Sequence, residues 1–157
     1  MRSGKRDKKR QDKGSISIIW TLIPIAVTGT IILSNKTETV ISSHSIVHYI
    51  GLGVILMGMV FRFISIFSLG RFFTVDVTIR ENHELKKDGI YKIIRHPSYS
   101  GSLLSFVGFG ISLNNWLSLI AITSLVTIAF LYRIRIEERL LAEQFGSDYL
   151  DRMFEKA

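Results

Sequence analysis

The stretch Tyr99–Tyr132, YSGSLLSFVGFGISLNNWLSLIAITSLVTIAFLY, runs 34 residues without a charged side chain. One straight helix of that length would extend about 51 Å, against a hydrocarbon core of roughly 30 Å. Two complete crossings and a turn would need more than about 40 residues. The stretch therefore reads as a hairpin, and the strongly polar pair inside it, Asn114-Asn115, marks the break. Its first arm, about 98–113, is short for a span. Its second arm, about 116–132, can continue past the lipid through Arg133 to Gln144.

Two further apolar segments lie upstream. Residues 16–33 carry no charge over 18 positions and follow a basic block. That pattern also describes a signal peptide, but the run is long for one and is followed by Ser34-Asn35-Lys36 instead of a small-residue cleavage site. A retained membrane helix is expected, with Pro24 kinking it or absorbed by its neighbours. The second segment, 46–69, is interrupted by Arg62, read as a snorkelling side chain. Its glycines Gly51, Gly53 and Gly58 suit close helix packing.

The fold class is thus an all-α integral membrane protein of about four transmembrane helices, the last two a helical hairpin. The expected domains are a basic tail, 1–15, and one membrane-embedded unit, 16–157, with a connector at 70–97 and a helical extension at 133–157. Orientation follows from Lys and Arg counts: seven before the first span, one in the first loop, six in the second, none at Asn114-Asn115 and five after the last span. Cytoplasmic loops carry the positive excess, so both termini and the connector are expected in the cytoplasm.

Composition narrows function by exclusion. The chain has no Cys, which removes disulfides, thiolate catalysis and Cys-ligated metal sites. The net charge of +7 comes mostly from residues 1–13, with seven Lys/Arg against two Asp. A basic block just before an apolar span is a topology signal or a contact with anionic membrane lipids, not a nucleic-acid arm.

Polar groups collect at both ends of the hairpin, where their cost near lipid makes them a candidate functional site. Arg95-His96-Pro97-Ser98-Tyr99-Ser100-Gly101 leads into the first arm. Pro97 suits the first turn of a helix, where its missing N–H costs nothing. Arg95 and His96 then stand at the helix mouth, where the dipole and an Arg attract an anionic group. Gly101 permits close approach of backbone or ligand. On the last helix Arg133 and Glu137 are four apart and share a face, with Glu138 adjacent. Each element has a plainer reading: Arg95 an interfacial anchor, His96 a cap, Tyr91 and Tyr99 an aromatic belt, the Arg/Glu run a solvated helix end. Their co-occurrence favours a site.

The pattern Gly89-Ile90-Tyr91, Arg95-His96-Pro97-Ser98-Tyr99, Gly101, then Arg133, Glu137-Glu138, Leu141, Phe145-Gly146 and Tyr149 resembles the isoprenylcysteine carboxyl methyltransferase family. Leu69-Gly70-Arg71-Phe72-Phe73-Thr74 and His83-Glu84-Leu85 resemble it too, and the likeness covers about residues 60–152. The Arg-His-Pro motif alone would also admit the related phospholipid methyltransferases. The resemblance implies an S-adenosylmethionine-dependent carboxyl O-methyltransferase with a cytosol-facing cofactor pocket, releasing S-adenosylhomocysteine. It implies cofactor contacts from His83, Glu84, Leu85, Lys86, Tyr91, His96, Pro97, Ser98, Tyr99, Gly101 and Glu137, with Arg133 and Arg95 as catalytic residues and no metal. The implied acceptor is lipophilic, either a lipidated protein or, given the short chain, a small isoprenoid-like molecule entering from the bilayer.

The residue types suit that chemistry. A carboxylate nucleophile is already ionised near neutral pH and needs orientation and dehydration more than a general base. The rivals are a phospholipid or amine N-methyltransferase, which would need a base, and a non-catalytic four-helix membrane protein or small transporter. A proton-coupled carrier would want an acidic residue within a span, and the first span has none.

Overall fold

The structure is a computed structural model and describes residues 3–69, 91 and 94–145. They form α1 (Ser3–Lys36), α2 (Ile46–Leu69), α3 (Pro97–Ser112) and α4 (Trp116–Phe145). The only β pairing among the described residues is one bridge between Val40 and Asn115. Segments within three helices, Ser17–Lys36, Ile46–Ser68 and Trp116–Arg139, are long and apolar enough to cross a membrane. The 16 residues of α3 extend only about 24 Å, so the first hairpin arm is the short one. Large apolar side chains point away from the protein, Trp20, Tyr49 and Phe67 among them. In water such a surface would be a liability; against acyl chains it needs no cover.

The helices pack in the order α2–α3–α4–α1. The α2–α3 seam is built from small residues two turns apart. A Cβ at Gly58 would stand 2.7 Å from the Gly101 carbonyl oxygen, and one at Gly108 would stand 2.8 Å from that of Gly51. Ser105 joins the seam by donating to the Ile55 carbonyl at 3.3 Å. Gly53, expected to share in this packing, meets nothing within 4 Å. Two residues past Gly51 the helix has turned by about 200°, so Gly53 faces outward. The opposite face of α3 joins α4 and α1 around Ala26, Ile122, Val126 and Phe130, with Tyr99, Leu103 and Phe106 against them.

Asn114-Asn115 breaks the hairpin as expected and also binds it to the α1–α2 loop. Asn114 takes a left-handed φ of 51°, tolerable for asparagine. Its Oδ1 accepts from the Ser42 N–H at 3.1 Å and its Nδ2 donates to the Ser42 carbonyl at 2.8 Å. Asn115 donates to Thr37 Oγ1 at 2.9 Å and accepts from the Ser118 N–H at 2.9 Å, capping α4.

The structure adds two details to these expectations. Helix α1 starts at Ser3 and runs unbroken through the basic block and past Pro24, so the tail and first span form one helix. Arg62 does more than snorkel: its guanidinium donates to Ser102 Oγ on α3. The remainder of the 70–97 connector, apart from Tyr91 and 94–97, and of the extension beyond Phe145 lies outside the described residues.

Candidate functional site

Pro97 begins α3 and His96 is its N-cap, with φ −125° and ψ 63°. A histidine there could cap the helix, yet its side chain makes no capping hydrogen bond. The ring turns instead toward α4. Its Nε2 lies 3.3 Å from Glu138 Oε1 and its Nδ1 lies 4.0 Å from Glu137 Oε2. The two carboxylates straddle the imidazole because neighbouring helix positions diverge by about 100°.

One turn into α3, Tyr99 stacks obliquely between His96 and Phe130, at ring-centroid distances of 5.9 and 5.3 Å. Its hydroxyl shares side-chain hydrogen bonds with Arg133 and Glu137. Arg133 is only 2% exposed. A buried guanidinium is tolerated where charge and hydrogen bonds meet it; Tyr99 supplies a hydrogen bond, and Glu137 lies four residues on along the same helix face. Tyr91 donates its hydroxyl to the Ser65 carbonyl at 3.1 Å. Burial first, then the Glu137 charge, push its pKa above 10, so it stays a neutral donor at physiological pH.

The structure therefore brings His96, Tyr99, Arg133 and Glu137 together from the two hairpin arms. Tyr91 comes within electrostatic reach of Glu137. Pro97 is buried beneath the group, and Ser98 contributes its carbonyl to Ser102 Oγ at 2.8 Å. Arg95 is exposed in the bend before α3. Gly101 serves an approach of backbone: a Cβ there would stand 2.7 Å from the Arg62 amide nitrogen. His83, Glu84, Leu85 and Lys86 lie outside the described residues. Among the described residues no group of three or more His, Asp or Glu is placed to hold a metal ion.

Sequence reasoning missed two partners. Glu138 makes the shorter His96 contact; its place beside Glu137 was the available signal. The Arg62–Ser102 contact spans 40 residues, and its one clue was a charge inside an apolar span. Chemically, the site offers acceptors at the helix mouth, aromatic faces beside them, and a guanidinium one helical turn deeper.

Comparison with known proteins bears on the family and the fold. Residues 46–148 match the phospholipid methyltransferase family, a range that takes in α2, the connector and the hairpin. Protein-S-isoprenylcysteine O-methyltransferase B of Arabidopsis thaliana is 42% identical over 103 residues, 64% of this chain and 52% of that protein. Protein-S-isoprenylcysteine O-methyltransferase of Saccharomyces cerevisiae is 33% identical over 104 residues, 65% and 44% of the respective chains. A solved structure of the eukaryotic intramembrane Ras methyltransferase ICMT (isoprenylcysteine carboxyl methyltransferase) aligns with a TM-score of 0.70 at 30% identity. That alignment covers 85% of this chain and 48% of the other, so the chain spans about half the length of the relatives it matches. With its family region taking in the hairpin that carries His96, Tyr99, Arg133 and Glu137, this chain belongs to the phospholipid methyltransferase family.

Proposed function

We propose that the protein is a membrane methyltransferase that uses S-adenosylmethionine to methylate the carboxylate of an isoprenylcysteine-like acceptor. The observation that carries this reading is the meeting of His96 and Tyr99 from α3 with Arg133 and Glu137 from α4. The similarity to isoprenylcysteine methyltransferases adds the acceptor class.

The residues suit a nucleoside sulfonium. Glu137 and Glu138 can accept hydrogen bonds from ribose hydroxyls or amino groups, and the Tyr99 ring offers a π-face to a cation. The ligand would supply an electrophilic methyl group. Arg133 stands one turn deeper along α4 than Glu137, toward the apolar stretch. There its planar fork can orient a carboxylate with two parallel hydrogen bonds, and exclusion of water leaves that carboxylate a better nucleophile. No proton need be removed. The acceptor's apolar chain would then lie along the lipid side, with the polar mouth, both termini and the cofactor in the cytoplasm.

Methylation of a phospholipid amine has one observation in its favour: the His96 imidazole lies between the Glu137 and Glu138 carboxylates, the residue types a general base would use. Against it, Arg133 would repel a protonated amine. The test is a titration of purified protein in detergent with S-adenosylhomocysteine, followed by assays on an S-prenylated cysteine and on phosphatidylethanolamine. The expected result is a rise in melting temperature that Tyr99→Ala or Glu137→Ala abolishes, and methyl transfer to the prenylated carboxylate. The absence of a shift in wild type removes the cofactor reading, and transfer to the amine alone reassigns the acceptor.

A further inference from the structure

The C-terminal third of helix α2 holds the chain on both sides of the α3 N-terminus. Tyr91, near the connector's end, donates to the Ser65 carbonyl. Three residues before Ser65, Arg62 donates to Ser102 Oγ, and that same hydroxyl donates to the Ser98 carbonyl at 2.8 Å. Ser65 and Ser102 are both buried. The Arg62 contact lies where the two helices approach closely, since a Cβ at Gly101 would stand 2.7 Å from the Arg62 amide nitrogen. A charge thus sits at the pivot between α2 and the first turns of α3. Those turns carry Ser98 and Tyr99, and Tyr99 is the side chain that reaches Arg133 and Glu137.

We infer that Arg62 is a positioning residue: through Ser102 and the Ser98 carbonyl it fixes the rotation and depth of the first turns of α3, and so the placement of Tyr99 against α4. A charge-assisted hydrogen bond inside an apolar seam is stronger and more directional than one in water. Helix contacts among glycines bring the backbones close, and the Arg62–Ser102 hydrogen bond adds a directional contact to that packing. The side chain acts on the site at one remove and touches neither substrate nor cofactor. The inference rests on the proposed reading of the site.

Two readouts test it. The first is amide hydrogen exchange over Ser98–Ser102 in the ligand-free protein, which does not depend on what the site binds. The second is affinity for S-adenosylhomocysteine measured by calorimetry. Ser102→Ala keeps a good helix former and removes only the shared hydroxyl; Arg62→Gln removes the charge, and Arg62→Lys keeps it. Both Ser102→Ala and Arg62→Gln are expected to speed exchange over those residues and weaken binding by fivefold or more. The double variant should be no weaker than the poorer single, and Arg62→Lys should recover part of the loss. Unchanged exchange and affinity in Ser102→Ala and Arg62→Gln, with wild type binding normally, overturn the inference alone, as do effects of the two that simply add. Wild-type protein that binds no S-adenosylhomocysteine overturns the reading of the site and the inference with it.

Discussion

At the scale of single residues, Arg133 carries the heaviest physical demand in the chain. A guanidinium at 2% exposure has given up its hydration and depends on the groups around it. The Tyr99 hydroxyl meets it and also bonds Glu137, which ties the proposed chemistry and the stability of the fold to the same few atoms. Arg133→Lys keeps a positive charge but loses the planar fork. It should leave S-adenosylhomocysteine binding near wild type while turnover falls by about tenfold or more, the loss of one charged hydrogen bond. Tyr99→Phe keeps the ring against Phe130 and removes a hydroxyl bonded to charged groups, an interaction worth roughly 1.5–3 kcal/mol. Turnover should drop about 10- to 100-fold, and the melting temperature should fall by roughly 3–10 °C because buried Arg133 loses a partner. Unaltered turnover in Arg133→Lys would return Arg133 to a structural role.

At the scale of elements, the α2–α3 seam separates residues that composition alone treats alike. Gly58 faces the Gly101 carbonyl at 2.7 Å from where a Cβ would stand, while Gly53 has nothing within 4 Å. Gly58→Leu should force the helices apart and lower stability by about 1–3 kcal/mol, the usual range for overpacking. Gly53→Ala should be neutral or stabilise by roughly 0.5–1 kcal/mol, because it adds helix propensity without a new contact. Thermal unfolding in one detergent, read by circular dichroism, checks both. Equal effects at the two positions would contradict the packing described. The same seam explains why α3 can be short: it is held along its length by α2 and α4 and need not reach both interfaces.

For the whole molecule, the hairpin and the loop between α1 and α2 put two polar ends at opposite sides of the apolar layer. One end holds the Asn114-Asn115 turn bonded to Ser42 and Thr37; the other holds His96, Glu137 and Glu138. The absence of cysteine lets this be tested with single introduced thiols. In sealed cells, a membrane-impermeant maleimide should label Ser43→Cys, which is exposed in the far loop. Ser100→Cys, exposed beside the site, should react only after permeabilisation. Labelling of both from one side would reject the orientation drawn from the Lys and Arg count.

Length and periodicity were enough to read four helices, the break at Asn114-Asn115, the start of α3 at Pro97 and the shared face of Arg133 and Glu137, because each is a property of neighbouring residues. Which partners those residues meet was legible only in part. The resemblance to a known family brought the two motifs together on one site. It was the tertiary structure that set His96 against Glu138, turned Gly53 outward, and joined Arg62 to Ser102. The physical reason is that local sequence encodes where a helix begins and which side is apolar. It does not encode the rotation and depth at which two helices meet, and contacts 40 residues apart are decided by those two quantities.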